Sequence, residues 1–253
     1  MYVVEDDGPP DRPLVVLVHG TLDRSTGFAR VRRELRGLRV VAYDRRGYGR
    51  SRHVQPAAAG IEEHVDDLLA VLAGRPAVVA GHSYGADVTL TAATRPGTPI
   101  RGVVAYEPPM TWLPDWPRDT AGAAAVRAAV EAGDTGAAAE WFLRRMAGDE
   151  AWERLPERTK ADRQAEGATL VAELRSIRDE APFDPAEVAV PVVVGCGTRS
   201  AEHHRRATEA LARALPHGEL VLVEGAAHGA HLSHPAEFAG LVRRVLGSRP
   251  VGR

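Results

Sequence analysis

Six short runs of apolar, largely β-branched residues recur along this chain without alternating polar positions: Leu14–Val18, Arg39–Tyr43, Ala77–Ala80, Gly102–Tyr106, Val192–Gly195 and Leu220–Val223. A strand with one wet face alternates apolar and polar residues. Runs that do not alternate belong to strands covered on both faces, as in a parallel sheet sandwiched by helices. Helical patterns fall between the runs, at Phe28–Leu35, Ile61–Leu72, Ala86–Thr94, Ala201–Leu215 and Ala236–Leu246. In the second of these, Ile61, Val65, Leu68, Leu69 and Leu72 form one apolar stripe. Pro235 suits the first turn of the last, with Glu237 in the same acid-favouring turn. Alternating strands and helices predict an α/β architecture with a doubly wound, mostly parallel sheet.

One stretch interrupts the alternation. From Pro108 to about Pro182 no strand pattern occurs, only helical ones at Gly122–Ala132, Gly136–Ala147 and Lys160–Asp179. All four tryptophans (Trp112, Trp116, Trp141 and Trp152) lie here, with Met110, Met146 and Phe142. The expected organisation is a core of residues 1–107 and 183–253 with a helical cap of residues 108–182. The aromatics are expected to divide between the cap's own small core and the lining of an apolar pocket.

A length of 253 residues suffices for one buried core. The net charge of −2 creates no basic field to attract nucleic acid or an anionic membrane. Cys196 is the single cysteine, so no internal disulfide forms; it ends an apolar run, where a buried, inert thiol is expected. No signal-like leader and no run of membrane-spanning length occurs, so a cytoplasmic, reducing location is expected.

The chemistry centres on Gly81-His82-Ser83-Tyr84-Gly85, set between an apolar run and a helical stretch. A serine on a sharp strand-to-helix turn is held with its hydroxyl outward, and the flanking glycines avoid collisions with neighbouring backbone. The competing reading is a serine in an ordinary glycine turn. A serine hydroxyl needs a base to take its proton. His228 is the best candidate, because it follows the strand Leu220–Val223 on a loop at the edge where open α/β sheets collect catalytic groups. His231 and His234 share that loop, and His203-His204 sit on a helical stretch. Gly229 and Pro235 argue against a metal-binding helical face, so no metal is expected. His19-Gly20-Thr21-Leu22 follows the strand Leu14–Val18. Backbone N–H groups of this segment, with that of Tyr84, are candidates to bind the oxyanion of a tetrahedral intermediate.

These residues, together with Asp44-Arg45-Arg46-Gly47-Tyr48-Gly49-Arg50-Ser51 and Gly225 to His228, resemble the α/β-hydrolase superfamily. The resemblance implies Ser83 as nucleophile, His228 as general base and acid, Thr21 and Tyr84 as oxyanion donors, and no cofactor. Asp44 then forms a turn. Gly47-Tyr48-Gly49 is not a dinucleotide fingerprint, since position 52 is arginine. Two departures stand out. The family's acid most often follows the strand that is here Val192–Gly195, yet Ser200 occupies that place. Glu107, ending the strand Gly102–Tyr106, is the expected replacement, as in superfamily members that carry the acid one strand earlier. Glu202 and an acid-free dyad are the alternatives. Only Met1–Glu5 precedes the Pro-rich turn, so the family's first strand is expected to be absent and the sheet shortened at that edge.

The expected activity is that of a cofactor-independent serine hydrolase. It would cleave an ester-like bond (carboxylic ester, lactone or thioester) of a small apolar or aromatic molecule through an acyl-enzyme. Serine rather than aspartate as nucleophile argues against epoxide or haloalkane opening. Carbon–carbon bond hydrolysis, peroxidase-type chemistry on the same residues, and a non-catalytic ligand-binding role are the rival readings.

Overall fold

The structure, a computed structural model, describes residues 1–9, 11–117, 120–178 and 180–247. One sheet contains seven strands: β1 (Val3–Asp6), β2 (Leu14–Val18), β3 (Arg39–Tyr43), β4 (Ala77–His82), β5 (Ile100–Tyr106), β6 (Val192–Gly197) and β7 (Gly218–Val223). Their order is β1-β3-β2-β4-β5-β6-β7, and only β1 runs antiparallel to its neighbour. The six apolar runs all become strands. The short segment before the Pro-rich turn, where the family's first strand was expected to be absent, does contribute the edge strand β1. Val3 pairs with Tyr43 and Asp6 with Val40, giving a short edge strand whose residues are exposed or half-buried.

Both faces of the sheet are covered. On β2, Leu14, Val16 and Val18 join a cluster with helices α2 (Ile61–Leu72), α3 (Tyr84–Ala93) and α9 (Glu202–Ala214). Val15 and Leu17, pointing the other way, pack with α1 (Ala29–Glu34) and α11 (Pro235–Gly247). The period-two alternation of strand side chains thus feeds two cores instead of one core and water. Cys196 lies fully buried in β6, where burial pushes its thiol up to about 12.

Between β5 and β6 the described residues form helices α4 (Ala121–Glu131), α5 (Thr135–Ala147), α6 (Asp149–Glu153), α7 (Glu157–Gln164) and α8 (Gly167–Ser176), and no strand. A third apolar cluster joins Ala129, Ala138, Ala139, Leu170 and Val171 of these helices to Leu22 and Tyr48 of the sheet domain. The continuous helix expected over Lys160–Asp179 is split at Ala165–Glu166, and its expected end at Asp179 lies outside the described residues. The break turns the buried Glu166 carboxylate onto Arg24, at 2.9 Å, and onto the Gly49 N–H, at 2.8 Å. Tertiary pairing has here overridden a locally unbroken helical pattern. No helix among the described residues is long and apolar enough to cross a membrane.

Candidate active site

The C-terminal ends of β2, β4, β5, β6 and β7 bring His19–Thr21, Ser83, Glu107, Ser200 and His228 to one edge of the sheet. Ser83 is the single residue between β4 and α3, with φ 53° and ψ −131°. A Cβ on Gly81 would meet the Gly85 carbonyl oxygen at 2.3 Å, and one on Gly85 the Val18 oxygen at 2.3 Å, so this turn accepts only glycine at both places. Left-handed backbone at non-glycine residues costs on the order of 1–3 kcal/mol each. Among the described residues it occurs at Leu22, Ala73, Ser83 and Glu107. Ala73 terminates α2; the other three lie at this edge of the sheet.

Glu107 is fully buried and every oxygen has a partner. Its Oε1 accepts from the Gly197 N–H at 2.9 Å and from the Ser200 hydroxyl; its Oε2 lies 2.8 Å from His228 Nδ1. Burial alone would raise its pKa, but the hydrogen bonds from His228 and Gly197 and the nearby imidazoles hold it at about 2. An ionised carboxylate only accepts, so Nδ1 of His228 carries a proton and donates it to Glu107. Ser200, at the position where the family's acid was expected, thus donates to the Glu107 carboxylate. Glu202, the alternative, is 65% exposed on the first turn of α9 and pairs with Arg206 instead.

Backbone contacts draw these groups together. The Ser83 N–H donates to the Tyr106 carbonyl at 2.8 Å, one residue before Glu107. His82, one residue before Ser83, bonds through Nε2 to the His228 carbonyl at 2.8 Å. Tyr106 anchors the same loop through a 3.0 Å bond from its hydroxyl to the Ala227 carbonyl. The Gly20 backbone passes so near the Ser83 turn that a Cβ there would lie 2.9 Å from the Ser83 Cβ. Tyr84 opens α3, and first-turn N–H groups have no carbonyl partner within their own helix. The positive end of that helix also favours negative charge beside Ser83. His19 braces the loop, lying 2.7 Å from the Gly20 carbonyl through Nδ1 and accepting from the Arg45 N–H at 2.9 Å. Asp44 likewise holds a turn, accepting from Ser25 N–H at 2.8 Å and Arg50 N–H at 2.9 Å.

A column of imidazoles stacks beside His228, unexpected from the sequence. The His204 ring stacks on His228 with centroids 4.6 Å apart, His82 lies 4.8 Å from His228, and His231 lies 4.0 Å from His82. Trp116 closes the column edge-on against His203 and His204. A signal for His204 was present: His204, Ala207, Thr208 and Leu211 are the buried residues of α9, one stripe at helical spacing. Of the remaining tryptophans, Trp152 is buried, Trp112 packs against Phe183, and Trp141 is 44% exposed. Two surface cavities, of about 310 and 510 Å³, border Arg24–Glu166 and Leu222–Arg244 respectively and do not touch Ser83.

Asp23, His82 and His231, and separately Glu107, His204 and His228, bring ligand atoms within 4.8 Å of one another. The His204 and His228 rings are stacked at an interplanar angle of 28°, and the His82 and His231 rings are tilted by 41°. His231 bonds Asp23 at 3.0 Å, leaving two hydrogen-bonded acid–imidazole pairs. His234, the other histidine of the loop, pairs with Ser233.

Burial, and then the neighbouring His228, lower His204 to about 3, burial and then Arg45 lower His19 to about 3, and burial and then His231 lower His82 well below its ordinary value. These rings stay neutral in the folded chain while the unfolded chain protonates them near pH 6.5. Between about pH 6.5 and 3 the unfolded state therefore binds more protons, and stability falls as pH falls. The slope is about 1.4 kcal/mol per pH unit for each such group. Urea midpoints should drop from pH 7.5 to 5, and His204→Phe should flatten that drop. Equal midpoints at the two pH values would show that the buried rings are not held neutral.

The profile of the alpha/beta hydrolase family matches residues 15–241, and the chain belongs to that family. Epoxide hydrolase B of Mycobacterium tuberculosis is 40% identical over 111 residues, 41% of this chain and 31% of that protein. The bifunctional esterase/perhydrolase DCH of Acinetobacter calcoaceticus is 37% identical over 106 residues, 40% of this chain and 38% of that protein. The matched stretches thus span about a third of the length of these curated relatives. An alpha/beta hydrolase structure from Sphaerobacter thermophilus DSM 20745 superposes with a TM-score of 0.71 at 28% identity, covering 93% of this chain and 95% of the other.

Proposed function

We propose that the protein is a serine hydrolase that cleaves an ester-like bond through an acyl-enzyme, without a cofactor. The observation that carries this reading is the buried, ionised Glu107 bonded at 2.8 Å to His228 Nδ1, beside a strained serine turn. Ser83 attacks the substrate carbonyl while His228 Nε2 takes its proton. Glu107 fixes the ring and stabilises the imidazolium. The Thr21 and Tyr84 N–H groups hold the oxyanion; losing one such donor typically costs about 3–4 kcal/mol of transition-state stabilisation. His228 then returns the proton to the leaving group, and water releases the acid by the reverse sequence. The helical segment 108–182 acts as a cap, and Trp116 beside His204 favours an apolar or aromatic substrate.

The likeness to a protein named epoxide hydrolase supports the family but not that reaction here. A carboxylate that opens an epoxide forms an ester, which water can cleave; a serine would form a stable ether. The likeness to a protein named esterase/perhydrolase fits a serine acyl-enzyme, on which water or hydrogen peroxide can act as the second nucleophile.

A fluorophosphonate probe should label the protein at Ser83, as read by peptide mass spectrometry, and Ser83→Ala should remove the label. A folded wild-type protein that stays unlabelled would overturn the reading in favour of a ligand-binding role.

A further inference from the structure

The loop that carries Thr21 is gripped from outside by the helices inserted between β5 and β6. Thr21 Oγ1 donates to Glu173 Oε2 on α8 at 2.6 Å. Arg163 on α7 donates to the Leu22 carbonyl at 2.8 Å. Arg24 donates to both oxygens of Glu166, at 2.9 and 3.1 Å. The Leu22 side chain, meanwhile, lies in the apolar cluster of α4, α5 and α8. Leucine does not favour the left-handed backbone found at Leu22, so its surroundings must hold it there.

The second oxyanion residue is tied to the same turn of α8. The Tyr84 hydroxyl lies 2.8 Å from Ser176 Oγ, and that hydroxyl donates to the Glu173 carbonyl at 2.9 Å. Glu173 is itself fixed by Arg45, at 2.5 Å, whose Nε donates to the His19 carbonyl at 2.8 Å. Residues from two different strand ends therefore meet on one helical turn, Glu173–Ser176.

We infer that α7 and α8 position the Thr21 and Tyr84 N–H groups, so that the oxyanion hole exists only while the inserted helices are seated on the sheet domain. The inference rests on the oxyanion assignment proposed above. Thr21, Arg163, Glu173 and Ser176 side chains act in it as positioning residues. Seating of the helices and formation of the hole become one event, which keeps the nucleophile without transition-state support when the helices lift.

The test compares Thr21→Val, which keeps the shape and loses the hydroxyl, with Thr21→Ser, which keeps the hydroxyl. On p-nitrophenyl acetate, Thr21→Val should lower kcat at least 30-fold with KM within threefold, and Thr21→Ser should stay within threefold of wild type. Hydrogen exchange read by mass spectrometry should be at least tenfold faster over residues 20–24 in Thr21→Val, and unchanged over β4. An unchanged kcat, or unchanged exchange over residues 20–24, would overturn the inference. If Thr21→Val does not fold, Ser176→Ala probes the Tyr84 side: kcat should fall at least fivefold at constant KM, and no fall overturns the inference. A wild-type protein without esterase activity would count against the proposed function, while the exchange measurement would still decide whether α8 holds the loop.

Discussion

His228→Ala should lower kcat for ester hydrolysis by about 10⁶-fold, and Ser83→Ala by a similar factor, with the double variant no slower than either. The factors do not multiply because the two groups perform one event. Without the imidazole the serine proton has no acceptor at neutral pH, and without the hydroxyl the imidazole has nothing to activate. The structure supplies the reason that His228, among ten histidines, is the one to remove. Its Nδ1 is committed to an ionised carboxylate, so its Nε2 is left as a base. His204 and His82 are driven neutral by burial, and His231 is bonded to Asp23. A His228→Ala protein that folds, by circular dichroism, and retains activity within 100-fold of wild type would assign the base elsewhere.

Glu107→Gln should lower kcat by about 10³–10⁴-fold. The substitution keeps the side-chain shape but removes the charge and places an amide among groups that now donate to Glu107. Those donors are the Gly197 N–H, the Ser200 hydroxyl and His228 Nδ1. With the amide nitrogen toward the ring, the imidazole must turn its lone pair to the amide and its proton to Ser83, the wrong tautomer for a base. With the amide oxygen toward the ring, the tautomer survives but the imidazolium loses its counter-charge. Glu202→Gln should leave kcat within twofold, because that carboxylate is exposed and paired with Arg206. Near wild-type activity in Glu107→Gln, with loss in Glu202→Gln, would move the acid to α9.

Much of the fold could be read from local pattern. The six apolar runs are strands because a both-faces-covered strand announces itself in its own residues. β1 did not, since its four exposed or half-buried residues become a strand only by pairing with β3. The break between α7 and α8 was equally silent: its cause is Glu166 reaching Arg24 and Gly49, more than a hundred residues away in sequence.

The site divides along the same line. The turn at Ser83 is a local object, a serine between glycines where a strand meets a helix, and its geometry was legible on that account. Glu107 and His228 were singled out separately, each at a strand end, but 121 positions part them and no spacing rule connects them. Their meeting depends on β5, β6 and β7 lying side by side, and on Gly197 and Ser200 turning the carboxylate toward the ring. Ser200 looked like the loss of an acid, whereas in space its hydroxyl donates to the Glu107 carboxylate. The imidazole column and the grip of α8 on Thr21 are further removed from local pattern. Short-range sterics and periodicity speak through neighbouring residues, whereas hydrogen bonds among buried side chains are decided by which chain segments the packed sheet brings together.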